Sequence, residues 1–266
     1  MIRCSGDLFW DPISEQTCLD CALRLKTPPC GFSYPLLKAM FNGQEDRTEE
    51  IHVTDLTQCL LKAYYDKTDP EPEYVHLGMY KMLGKAVHAY MEQAVKDDPN
   101  IEAEVEISDA GIDGRIDAVM GDDIIDFKTT GYIVENNLPY GNHAEQVNLY
   151  RQMAKKEGNL YIQYVSMQGP PRCQKKNGYK PCNTPVVMQD GVVLCPKCGT
   201  ISKQQHLGAK IVDIDVENVD YMQERAEKLK AAMESGTPPD AEPGWLCSYC
   251  PHLKKCTVGQ IYMEME

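Results

Sequence analysis

From Ile101 to Thr129 the apolar residues recur at every second position, and this change of period constrains the fold more than any other feature of the chain. It predicts three short strands in succession, Ile101 to Ser108, Ile112 to Met120 and Asp123 to Thr129. Gly121 and Asp122 separate the last two, and glycine at the first position of a two-residue loop suits a type II′ turn. Counting outward pairs Met120 with Asp123, Val119 with Ile124, Ala118 with Ile125, and therefore Asp117 with Asp126. Two carboxylates then lie opposite each other on one face, which Lys128 shares by alternation.

Like charges at cross-strand distance are destabilising unless a cation sits between them or one carboxyl stays protonated. Oxygen ligands favour magnesium or manganese. Such an ion polarises a phosphoryl oxygen and helps to ionise a bound water, while an ammonium such as that of Lys128 orients the water or stabilises the developing charge. That is the chemistry of phosphodiester hydrolysis. The competing reading is the solvated face of an ordinary hairpin. Ile124, Ile125 and Phe127 favour function, because they suggest a strand covered on both sides, where unpaired carboxylates are costly.

Flanking elements follow from the helical period. Thr54 can cap a helix running to about Asp66, and Met79, Met82, Leu83, Ala86, Val87, Tyr90, Met91 and Ala94 mark a longer helix with an apolar core face. A helix is expected from about His143 to Lys156, a strand from Leu160 to Met167, another from Ala209 to Val216, and a charged helix from Asn218 to about Glu234. Residues 1–50, with four cysteines and little periodicity, read as an appended module.

The 266 residues can bury one substantial core carrying small appendages. No apolar run is long enough for a membrane helix, and the N-terminal MIRCSGDLFW lacks a secretory pattern, so a cytoplasmic, reducing setting is expected. Twelve cysteines there point to metal rather than disulfides. A net charge of −13 is awkward for a nucleic-acid enzyme. Binding would then rely on basic patches such as Arg172 to Lys180 and Lys254 to Lys255, on metal ions, or on a partner.

At these residues the chain resembles the RecB-like branch of the PD-(D/E)XK nucleases. Gly84 to His88 (GKAVH) is similar to its glycine-then-histidine motif, Gly114 to Asp117 (GRID) to its aspartate motif, Asp126-Phe127-Lys128 to the D-x-K, and Gln146 to Tyr150 (QVNLY) to its Q-x-x-x-Y motif. Four fragments in the right order form a specific signal. The resemblance implies an α/β fold, a restriction-endonuclease-like core with a central mixed β-sheet flanked by helices, spanning residues 51–266. It also implies that His88, Asp117, Asp126 and the Phe127 carbonyl hold magnesium or manganese, that Lys128 is catalytic, and that Gln146 and Tyr150 position DNA or the attacking water. Without the family, His88 reads as a partly exposed helix histidine, and Gln146 and Tyr150 as ordinary amphipathic-helix residues.

Three cysteine quartets remain. Cys59 with Cys247, Cys250 and Cys256 (a staple over 245–258) is similar to the [4Fe-4S] site of part of this branch, with zinc or free thiols as alternatives. Cys173, Cys182, Cys195 and Cys198 suggest an inserted zinc ribbon at 169–208, whose polar interior needs metal to fold and which could also grip DNA or a partner. Cys4, Cys18, Cys21 and Cys30 can close a second zinc site in the N-terminal extension.

The expected function is a magnesium- or manganese-dependent exonuclease on single-stranded DNA or single-stranded ends. The settings this implies are CRISPR spacer acquisition with an integrase, or recombination and repair with a helicase complex, in a cell or a virus. A non-catalytic DNA-binding or assembly module is the alternative, and a redox protein using the cluster is a third reading.

Overall fold

The computed structural model describes residues 2–4, 12–25, 30–41, 49–131, 133, 137–167, 172–177, 180–189, 192–202 and 209–265. The chain opens with β1 (Ile2–Arg3), β2 (Pro12–Ile13), α1 (Glu15–Arg24), α2 (Tyr34–Phe41), β3 (Ile51–His52), α3 (Val53–Leu56), α4 (Leu60–Thr68), β4 (Glu73–Tyr74) and α5 (Val75–Val95). Then come β5 (Glu102–Asp109), β6 (Ile112–Met120), β7 (Asp123–Thr130), α6 (Gly141–Ala154) and β8 (Leu160–Ser166). The short strands β9 (Lys176–Asn177), β10 (Lys180–Pro181), β11 (Val187–Gln189) and β12 (Val192–Leu194) precede β13 (Ala209–Ile214), α7 (Tyr221–Ser235) and α8 (Thr257–Met265). The molecule is α/β, with a mixed sheet and helices, as expected. Among the described residues no helix is long and apolar enough to cross a membrane.

Two compact units are present. The first comprises Met1–Tyr90, Ala110–Asp113 and Asp220–Glu266, and the second Met91–Asp109 and Gly114–Val219. In the first, β1 pairs antiparallel with β2 and parallel with β4. Leu19, Ala22, Leu37 and Met40 from α1 and α2 form a core with Ile2 and Val75. Residues that look aperiodic in sequence thus bury a face against the start of α5. The stripe along α5 forms a helix whose Met79 and Met82 pack against that core, but further along it turns outward: Leu83 is 40% exposed and Tyr90 75%. The expected core role of those two residues is not realised.

The helix predicted from Thr54 is also interrupted. It starts at Val53, where Asp55 accepts the His52 N–H at 2.8 Å, and stops at Leu56; Cys59 caps a second helix, α4. Arg225 of α7 explains the break, because its guanidinium donates to the Leu56 carbonyl at 2.9 Å and the Gln58 carbonyl at 2.6 Å. Those carbonyls are turned out of a helical path and satisfied by a side chain instead.

The second unit holds the sheet that carries the chemistry. β6 and β7 form the expected hairpin, with Met120, Val119 and Ala118 opposite Asp123, Ile124 and Ile125. Gly121 has φ of +63°, the value a primed turn needs at its first position. β7 then pairs parallel with β8, and β13 antiparallel with β8, while β5 borders β6. In the first unit, β3 pairs parallel with the opening residues of β6, Ile51 with Ile112 and His52 with Asp113. β7 is therefore a central strand. Ile124 and Asp126 are buried on one face, while Ile125 and Phe127 are half-buried on the other. Both faces are covered, but unequally.

Candidate active site

Asp126 is 1% exposed, a carboxylate placed where an isolated charge costs several kcal/mol. Its compensation is local. Two residues on, and on the same face, the Lys128 ammonium lies 2.8 Å from Asp126 Oδ2 and 3.1 Å from Oδ1. Lys128 also donates to Gln146 Oε1 at 2.9 Å, and Gln146 Nε2 donates to the Tyr150 hydroxyl at 2.7 Å. Gln146 and Tyr150 are one helical turn apart on α6, the spacing that puts two side chains on one face. The D-x-K and Q-x-x-x-Y residues therefore form one hydrogen-bonded chain in the second unit. Burial, then the Asp126 charge, raises the Tyr150 pKa, so its hydroxyl stays protonated and able to donate.

Asp117 departs from the expected register. The regular ladder ends at Ala118 and Ile125, and Asp117 Oδ2 instead accepts the Phe127 backbone N–H at 2.6 Å. A charge-assisted hydrogen bond of this kind is short and fixes the carboxylate against β7. Its neighbour is Glu104, a residue sequence reasoning missed, with a carboxylate oxygen within 4.8 Å of one on Asp117. Glu102, Glu104 and Glu106 alternate along β5, so period two alone puts all three on one face. A left-handed φ of +51° at Glu104 breaks that equivalence, and Glu104 is half-buried while its two neighbours are exposed. Arg115 Nε meets Glu104 Oε2 at 2.6 Å. Oxygen donors this close suit a hard divalent cation.

His143, at the start of α6, is a second omission. Burial, then the Lys128 charge, pushes its pKa down to about 3, so it is neutral at physiological pH. Its Nδ1 lies 3.0 Å from the hydroxyl of Tyr164, which accepts the Tyr140 N–H at 3.3 Å and is itself fully buried. His88 sits half-buried on α5, in the first unit.

The ribbon quartet is fully assembled. Cys173 Sγ is 3.6 Å from Cys198 Sγ, and Cys182 Sγ 3.7 Å from Cys195 Sγ. A tetrahedral ion with metal–sulfur bonds of 2.3 Å sets its sulfurs about 3.8 Å apart. Among the described residues its core contains, besides cysteines, Val186 and Val193, so apolar burial there is slight, as the polar sequence suggests. Thr184 and Thr200 stand two residues after Cys182 and Cys198, with hydroxyls 3.3 and 3.2 Å from the sulfurs. Hydrogen bonds from Thr200 hold the Cys198 thiol down to about 6.

The staple quartet has a different environment. Backbone N–H groups of Glu242, Gly244 and Gly259 donate to the sulfurs of Cys59, Cys247 and Cys256 at 3.3, 3.4 and 3.2 Å. A Cβ on Gly259 would lie 3.2 Å from Cys256 Sγ and 3.7 Å from Cys247 Sγ, so the missing side chain keeps open the space between them. Arg225 grips Glu242 at 2.6 and 2.8 Å, and Glu242 accepts the Leu60 N–H at 3.2 Å, which anchors the Cys59 turn. In the N-terminal quartet, burial followed by Cys30, Cys4 and Cys21 raises the Cys18 thiol to about 11.

Three solved structures are similar to this chain. SSO0001 shares 19% identity over 93% of this chain and 98% of its own, with a TM-score of 0.48. LHK-Exo in complex with dAMP shares 10% over 71% and 89%, at 0.40. A phage related exonuclease from Haemophilus somnus 129PT shares 14% over 70% and 92%, at 0.32. No curated protein sequence matches. None of these TM-scores reaches 0.5, and the family rests instead on its profile, which matches residues 37–257 and so takes in the sheet, α6 and most of the staple. The chain belongs to the PD-(D/E)XK nuclease superfamily.

Proposed function

We propose that this protein is a divalent-metal-dependent DNA nuclease of the RecB-like branch, acting as an exonuclease on single-stranded DNA. The observation that carries the reading is the chain from Asp126 through Lys128 and Gln146 to Tyr150. It connects two sequence motifs through one half-buried ammonium. The single-strand preference and exonuclease mode come from the RecB-like motif order alone.

Asp117 and Asp126 offer carboxylates to magnesium or manganese, with Glu104 beside Asp117; the motif order adds His88 and the Phe127 carbonyl. When bound, such an ion polarises the scissile phosphate and acidifies a water. Lys128 has its ammonium fixed by Asp126 and Gln146, so it stabilises developing phosphate charge without first reorganising. Tyr150 holds Gln146 in the amide orientation that receives Lys128. His143, neutral beside Lys128, adds no competing positive charge.

Cys59, Cys247, Cys250 and Cys256 are assigned a [4Fe-4S] cluster, supported by the three N–H donors on their sulfurs and the space at Gly259. Zinc is assigned to the ribbon, and to Cys4, Cys18, Cys21 and Cys30.

The test is cleavage of end-labelled single-stranded DNA by anaerobically purified protein with magnesium or manganese, beside Lys128→Met. Metal-dependent shortening by the wild type and none by the variant is expected. Equal products from both, or none from a folded, cluster-loaded wild type, would overturn the reading.

A further inference from the structure

We propose that the four-cysteine ribbon is a nucleic-acid grip that takes the phosphodiester backbone of a single strand on Lys175, Lys176 and Lys180, with Arg172 and Lys197. The inference rests on the nuclease reading for its ligand class.

The first observation is charge segregation. Residues 169–208 hold six Lys or Arg against one Asp, a net of +5, which leaves −18 for the remainder of a chain at −13. A zinc ion on four thiolates contributes −2, so the loaded ribbon stays positive at +3. Arg172, Lys175, Lys176, Lys180 and Lys197 are all exposed. Among the described residues of 172–202 there is no Asp or Glu. Three of these lysines cluster around one hairpin, where Lys180 faces Asn177 and Lys176 faces Pro181. Like charges on so small a hairpin repel one another, and the ribbon framework, with sulfurs 3.6 and 3.7 Å apart and the Cys182 N–H donating to the Lys175 carbonyl at 2.8 Å, holds them together. A polyanion removes that repulsion and releases counterions as it binds. A strand of phosphates has the repeating charge this surface matches.

The second observation is topological. Lys128 is level with Tyr164 on β8, and Tyr164 is level with Lys210 on β13. The ribbon leaves after Ser166, opposite Thr130, and the chain returns at Ala209, opposite Val165. The Met167 N–H donates to the Thr130 carbonyl at 2.8 Å, which ties the exit to β7. Both connections therefore leave the sheet within two residues of the Lys128 level, roughly 7 Å along the strands. A strand held by the ribbon is held beside the Asp126–Lys128 site, which supplies the local attraction that the acidic remainder lacks.

The experiment is fluorescence anisotropy of a labelled single-stranded oligonucleotide across a salt series, on the full-length, zinc-loaded chain carrying Lys128→Met. Lys175→Gln/Lys176→Gln/Lys180→Gln is compared with an equal charge removal elsewhere, Lys96→Gln/Lys228→Gln/Lys230→Gln. Each phosphate contact on a single strand contributes about 0.7 to the slope of log affinity against log salt, so the ribbon variant should be weaker and flatter by about 2. Zinc content should be unchanged in both. An unchanged slope, an equal loss in the control, or displacement by polyglutamate as effective as by DNA would each overturn the proposal. Cleavage failing while the ribbon lysines still set the slope would defeat the nuclease reading alone, and intact cleavage with an indifferent ribbon would defeat this one alone.

Discussion

The Asp117 carboxylate accepts the backbone N–H of Phe127 at 2.6 Å, and with that bond one side chain ends the β6–β7 ladder and is itself held against the strand that carries Asp126 and Lys128. It has two separable roles. Asp117→Asn keeps an oxygen for the Phe127 N–H but removes the charge; Asp117→Ala removes both. The asparagine variant should stay within about 1 kcal/mol of wild-type stability. Its manganese affinity should nevertheless fall at least tenfold, the lower end of what even outer-shell changes cost. Denaturant titration and calorimetry with manganese check the two parts, and undiminished manganese binding would remove Asp117 from the proposed site.

Gln146 connects Lys128 to Tyr150 and is buried with both its amide groups in use. Gln146→Met conserves length while leaving two polar groups without their partner, so about 1–3 kcal/mol of stability should be lost. The larger effect should fall on turnover, because the ammonium of Lys128 loses one of its two anchors. Cleavage rates at saturating substrate would test this, and an unchanged rate would reduce Gln146 to a packing residue.

The depressed pKa of His143, about 3 against an unfolded value of 6.5, makes stability depend on pH. The unfolded chain binds the proton first, so His143 gives its full contribution above pH 6.5 and loses it as pH falls towards 3. With about 1.4 kcal/mol per unit, the effect is of the order of a few kcal/mol. Unfolding free energies measured from pH 7 to 4 should decline less steeply for His143→Gln than for wild type. Parallel curves would mean that the imidazole titrates normally.

Gly259 and Arg225 serve the staple by different routes. Gly259→Ala would put a methyl 3.2 Å from the Cys256 sulfur and 3.1 Å from Leu253 Cδ1, closer than either neighbour comfortably allows. Arg225→Met would release Glu242 and the Cys59 turn. Both variants should lose iron and visible absorbance while ribbon zinc is retained. Full iron content in both would place the cluster elsewhere.

Much of this site is written in local sequence. The alternation from Ile112 to Thr129 and the glycine at the turn determine the β6–β7 hairpin, because a period of two and a positive φ are properties of a few adjacent residues. Asp126 and Lys128 share a face for the same reason, and Gln146 meets Tyr150 by one turn of α6. The ribbon cysteines converge as their spacing suggests. Tertiary structure decided the rest. Glu104 stands apart from Glu102 and Glu106 only through its own left-handed backbone, and it reaches Asp117 only because β5 borders β6. His143 loses its basicity because the fold buries it beside Lys128, a residue on another element. The helix expected after Thr54 breaks because Arg225, far along the chain, takes the carbonyls of Leu56 and Gln58. Periodicity reports what a segment does with its own neighbours, whereas register, burial and long-range hydrogen bonds depend on which other segments it meets.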